Sequence, residues 1–322
     1  MQVMSSANME MAGKATSGRL IQWMNKGAPY FFIAPAAIIL LFALVYPVGY
    51  MITASFFDWR PSQPFSDAEF SGLSNYIWLL NDEGFIESFF VTVTFAFTVV
   101  FLEMVLGVGL ALMLERPIRG MSVYRTIFIL PMMIAPIAVG LVWRYMYNPQ
   151  FGILNKILNT LGFENVPWLS DPSWSLFSII LADIWQWTPF VMILCLAALQ
   201  SLSSSVVEAA RLDGASGWSL IWYIKIPLML PVLIVTLLLR LIDAFKVLEV
   251  IMILTNGGPG LSTEILSLRI FKTVTDAQEL GLAAALSNML LLLVLVITIV
   301  MFAFNKVRET RQQKLKAAAE QY

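Results

Sequence analysis

The 322-residue chain contains no histidine and a single cysteine, and only 13% of its residues are charged. Without histidine it lacks the commonest general base and the commonest metal ligand. The lone Cys195 excludes an intramolecular disulfide. A G-x-x-x-x-G-K-S/T phosphate loop is missing too, because the Gly13–Lys14 pair is followed by Ala15, so this chain is not expected to hydrolyse ATP. With no metal cluster or nucleophile–base pair in view, a non-catalytic role is expected. The net charge of −1 decides little, since in a chain this apolar the placement of charge matters more than its sum.

What the chain has in excess is apolar surface. Hydrophobic residues make up 59%, and the mean hydropathy is +0.78, which predicts an all-α integral membrane protein. Six runs, near 30–56, 88–114, 123–147, 174–200, 228–254 and 281–304, reach the roughly 20 apolar residues that a hydrocarbon core demands. The polar leader 1–29 precedes a run that is too long for a signal-peptide core, and no small-x-small site closes it, so that run is expected to stay as an anchor. Within the leader, 17–26 (SGRLIQWMNK) reads either as a short interfacial helix or as an unstructured tail.

Lysine and arginine set the expected orientation. Lys14, Arg19 and Lys26 in the leader, Arg116, Arg119, Arg125, Arg211 and Lys225 between spans, and Lys306, Arg308, Arg311, Lys314 and Lys316 in the tail 305–322 would share one side. Those are 13 of the 20 basic residues. By the positive-inside rule that side, with both termini, is cytoplasmic. The opposite loops, 57–87, 148–173 and 255–280, mix Trp59, Tyr76, Trp78 and Trp168 with carboxylates and lysines. Such a mixture suits either an interfacial aromatic belt or a docking surface for a partner.

Between spans four and five lies EAARLDGASGWSLIWYIKIP (208–227). Ser205 stands three residues before Glu208, the spacing of a capping box, so a helix is expected to begin at Ser205. Asp213 and Gly214 read as its stop. Ser216 then starts a second short helix carrying Trp218, Ile221 and Trp222, which Pro227 is expected to interrupt.

This order of residues resembles the EAA motif of binding-protein-dependent ABC importer permeases, E-A-A-x-x-D-G-A followed by a spacer and I-x-L-P. Glu208, Ala209, Ala210, Asp213, Gly214 and Ala215 match its first half, and Ile224 and Pro227 its second, with Ile226 in place of the leucine. NPQFGILNKILNTLG (148–162) and LTNGGPGLSTEILSLRIF (254–271) resemble outer loops of the carbohydrate-uptake members, of the maltose and glycerol-phosphate type. The resemblance implies a type I ABC importer transmembrane domain over 30–304, with six helices and a cytoplasmic coupling helix-turn-helix at 205–227 that docks on a separate ATPase. ATP and Mg would sit on that ATPase, and this chain would bind no cofactor. It also implies a second permease, usually a different chain, two ATPase subunits, an external solute-binding protein and no nucleic acid.

In such permeases the spans flanking the EAA segment line the path. On span five Arg240, Asp243, Ala244 and Val247 share a helical face, and on span four Asp183, Gln186, Trp187 and Phe190 recur at similar spacing. Together they combine hydrogen-bonding groups with rings, as a sugar requires. Arg240 and Asp243 lie near mid-membrane, where charge needs a partner. They would neutralise one another, or the arginine would greet an acidic solute. A different class of function stays open, an ion- or proton-coupled carrier with Asp183, Glu103, Arg240, Asp243, Lys246 and Glu249 as relay candidates.

Overall fold

The computed structural model describes residues 30, 32–115 and 120–319. The leader with its 17–26 stretch, Arg116 and Arg119, and the side chains of Arg308, Arg311, Lys314 and Lys316 lie outside the described residues. The chain forms two compact units, divided after Ala54. What is described of the first is one apolar helix, α1 (Phe32–Ala54), long enough to cross a membrane.

The second unit opens with a minimal hairpin, β1 (Phe57–Asp58) antiparallel to β2 (Glu69–Phe70), in the register Phe57 opposite Phe70. The rest is helical: α2 (Ser74–Asn81), α3 (Glu83–Leu114), α4 (Met121–Met133), α5 (Pro136–Met146), α6 (Ile153–Thr160), α7 (Pro172–Gln200), α8 (Ser204–Leu212) and α9 (Gly217–Leu220). A π turn (Ile221–Lys225) then leads to α10 (Ile226–Ala244), α11 (Glu249–Leu254), α12 (Leu266–Thr275) and α13 (Leu280–Ala319). With α1 and the bent pair α4–α5 each taken as a span, six spans result.

The central contact is α3 against α7, and Gly107 permits it: a Cβ there would lie 2.6 Å from Val191 Cβ. Around this seam Phe95, Val99, Ile179, Phe245, Ile251 and Leu286 form the main buried core.

Two expected spans are not continuous. The run 123–147 bends by 96° between α4 and α5. Pro136 disfavours the helical conformation at Ala135, which is extended at ψ 136°, since the proline ring crowds the preceding residue. The run 228–254 also stops early, at Ala244, and resumes as α11, which packs on α5. Ser267 Oγ donates to the carbonyl of Val247, one of the groups between the two helices. The expected interruption at Pro227 does not occur: α9, the π turn and α10 run as one 28-residue helix, Gly217–Ala244. A proline lacks the N–H and crowds the carbonyl four residues back, and the wide turn immediately before Pro227 is where the helix absorbs that mismatch.

At the end of the bundle away from α8, side chains tie the loops down. Asp82 accepts from Phe85 N at the start of α3 (2.8 Å) and pairs with Arg269. Glu264 bridges Arg269 (3.0 Å) and Lys272 (2.7 Å).

Candidate functional site: a helix-turn-helix and a buried charge cluster

The helix-turn-helix stands between α7 and α10. Helix α8 starts at Ser204, one residue before the expected start, with Ser203 as an N-cap that makes no side-chain capping bond. The expected Ser205–Glu208 capping box is therefore absent. Ser205 sits inside the first turn, its hydroxyl 2.7 Å from that of Ser203, and Glu208 is exposed. A capping box forms instead at Ser216, whose N–H donates to Ser219 Oγ (2.9 Å).

The stop lies at Asp213–Gly214. Gly214 has φ +90°, which a side chain would strain. The N–H of Gly214 donates to Arg211 O (3.1 Å) and that of Ala215 to Ala210 O (2.9 Å), the pair of bonds that closes a Schellman turn. Glu208, Ala209, Asp213, Gly214 and Pro227 are exposed, Ala215 and Ile224 are half-buried, and Ala210 packs inward. Two apolar residues outside the motif are also bare at this tip, Leu212 (89% exposed) and Trp218 (74%). Lys225, in the π turn, pairs with Glu115 at the end of α3. This ion pair was not legible beforehand, because its partners are 110 residues apart.

The second constellation lies near the end of α10, one turn before Ala244. Arg240 donates through Nε to Glu103 Oε2 (2.6 Å) and through Nη2 to Glu103 Oε1 (2.8 Å). Nη2 also reaches Asp183 Oδ2, while Asp243 stands 3.4 Å from Nη1. The side chains of Arg240, Glu103 and Asp183 are 2%, 0% and 1% exposed, that of Asp243 47%. So α3, α7 and α10 are cross-linked at one buried guanidinium, whose fork fits a carboxylate bidentately. Arg240 Cζ also lies 5.1 Å from the centre of the Trp187 ring, within cation–π range.

Beside this cluster is a cavity of about 320 Å³, lined by Trp187, Phe190, Arg240, Asp243 and Lys246 among others. Trp187 and Phe190 meet edge to face, 6.3 Å apart. The remaining residues of the two expected faces point elsewhere. Asp183 lies behind Arg240, and Gln186 donates to Ile134 O (3.2 Å) at the break between α4 and α5. Ala244 is packed in the core and Val247 against it. Among the aromatic residues of the opposite loops, Tyr76 is bonded to Ser55 (2.7 Å) and Asn288 (2.9 Å). Trp168 donates to Asn155 (2.9 Å), and Trp78 is exposed.

Residues 103–312 match the family model described as binding-protein-dependent transport system inner membrane component. The chain is 38% identical, over 87% of its length and 94% of the relative's, to the trehalose/maltose transport system permease protein MalF of Thermococcus litoralis. It is 33% identical, over 88% of its length and 96% of the relative's, to the sn-glycerol-3-phosphate transport system permease protein UgpA of Yersinia enterocolitica. Its fold matches a chain of a bacterial alginate ABC transporter solved with an alginate pentasaccharide-bound periplasmic protein, with TM-score 0.75 and 24% identity over 88% of this chain and 96% of that one.

Proposed function

Because the chain belongs to the family of binding-protein-dependent transport system inner membrane components, we propose that it is the permease subunit of an ATP-driven importer and forms half of the translocation path for a sugar or sugar-like solute. The observation that carries this reading is the exposed helix-turn-helix joined without a break to α10. Small residues at Ala209, Gly214 and Ala215 and bare apolar ones at Leu212 and Trp218 suit a groove on a separate ATPase, which would hold ATP and Mg. A push on this segment must move α10, and with it Arg240 and the cavity wall. The positive-inside count puts the segment and both termini in the cytoplasm. A second permease, two ATPase subunits and an external binding protein complete the assembly, the last resting on the opposite loops. The residues proposed for coupling are Glu208, Ala209, Ala210, Asp213, Gly214, Ala215, Ile224 and Pro227, and those for the path are Trp187, Phe190, Arg240 and Asp243, backed by Asp183.

Gly214→Asp tests the coupling. It should insert at near-normal abundance, yet lose ATPase co-purification and ATP-driven uptake into proteoliposomes. Normal uptake by this variant would remove the coupling role. Uptake that survives collapse of the proton gradient but not ATP depletion separates this reading from an ion-coupled carrier.

A further inference from the structure

From sequence, Arg240 reads either as neutralised by Asp243 or as a receptor for an anionic solute. The geometry points away from the second. We propose that Glu103 and Asp183 hold Arg240 as a neutralised brace against Trp187, leaving Asp243 as the cavity's acceptor, so that the path favours uncharged polyhydroxylated solutes over anionic ones. This rests on the importer reading above and narrows its solute class.

Most of the guanidinium is already spent. Its Nε and Nη2 donate to Glu103 and Asp183, and only 2% of its side chain is exposed. Nη1 is the one nitrogen left to a solute carboxylate or phosphate, and there Asp243 already stands at 3.4 Å, so an anion would meet a carboxylate at that donor. To reach Nε or Nη2 it would have to displace Glu103 or Asp183, both sealed between helices, and strand a charge in a medium of low dielectric. Counting charges gives the same answer. Arg240 and Lys246 face Glu103, Asp183 and Asp243, so the cluster holds no excess positive charge, even if one buried carboxyl carries a proton. An anion entering here would meet a neutral or negative wall.

What the cavity does offer suits a sugar. Asp243 is half-exposed and bound to Arg240 only by its long 3.4 Å contact, so it can accept from hydroxyls. Lys246 is exposed at the lining and donates. Trp187 and Phe190 supply ring surface for a C–H face. The guanidinium at 5.1 Å from Trp187 holds that ring in place. Glu103 and Asp183 are thus positioning residues: they touch no solute and set which charge the cavity shows.

The test is ATP-driven uptake by the complete transporter in proteoliposomes, with trehalose and maltose as neutral probes and sn-glycerol 3-phosphate and glucuronate as anionic ones. The wild type should take a neutral probe at least about tenfold faster than either anion, the size of one charged hydrogen bond gained or lost. Asp243→Asn, at a half-exposed position that does not threaten folding, should lower neutral uptake by roughly tenfold. Glu103→Gln, which releases part of the guanidinium fork, should raise the anion-to-neutral ratio several-fold, and Glu103→Asp should restore it. A ratio moves only if Arg240 becomes available; a structural defect lowers both rates together. Anion uptake equal to or faster than neutral uptake in the wild type, or an Asp243→Asn protein with unchanged neutral uptake, would overturn the proposal alone. Import of neither class would remove the carbohydrate reading, and the proposal with it.

Discussion

The two polar regions of this protein obey opposite rules. At the tip, Glu208 and Asp213 are exposed and make no ion pair among the described residues, while backbone bonds and one left-handed glycine set the shape. Between α3, α7 and α10, Glu103, Asp183 and Arg240 are sealed from solvent, and each is held by charged hydrogen bonds. Water at the tip solvates whatever the backbone leaves unpaired. The bilayer offers nothing comparable, so every buried charge there must find its partner within the protein. The difference teaches that charge is free to serve a partner at the tip, whereas in the core it is first committed to holding helices together.

Removing a committed charge should break this contrast most visibly. Arg240→Ala strands two carboxylates and is expected to cost about 3–5 kcal/mol, read as a large loss of membrane abundance and thermal stability. Normal abundance would show that the cluster is not a brace. Glu115→Gln tests the intermediate case, since its pair with Lys225 is partly exposed (25% and 11%). A loss of at most about 1 kcal/mol is expected after solvent screening. If the helix-turn-helix couples as proposed, the sharper readout is futile ATP hydrolysis without solute, because the pair ties the base of that segment to α3. Glu208→Ala should have the smallest effect on stability, within about 0.5 kcal/mol for a surface change. A working capping box would instead lose about 0.5–2 kcal/mol. Chemical denaturation of the two proteins side by side distinguishes the values, and any transport defect in the first then belongs to docking.

The contrast also explains what could be read from the sequence. The tip is local: Asp213, Gly214 and Ala215 form their turn from neighbours alone, so residue order was enough to place the helix stop. The helix start was misplaced by one residue because three consecutive serines, Ser203 to Ser205, are equally good starters. The charge cluster is not local. Arg240 and Glu103 are 137 residues apart, whereas the pairing visible at short range, Arg240 with Asp243, is the longest of the three contacts. Prolines misled in both directions. Pro136 breaks its span and Pro227 does not; Pro136 stands at the first position of a new helix, whereas the wide π turn precedes Pro227.

That widening carries one more consequence. A turn closed by bonds five residues apart holds about one residue more than a regular turn, so it inserts a phase slip of roughly 100° into an otherwise unbroken rod. A helical wheel drawn through Gly217–Ala244 as one regular helix would therefore assign Trp218 and Arg240 to the wrong relative azimuths. The two ends of this rod are mechanically continuous yet rotationally offset, so the direction in which the tip is pushed and the direction in which the cavity wall turns are set separately, by a single surplus residue.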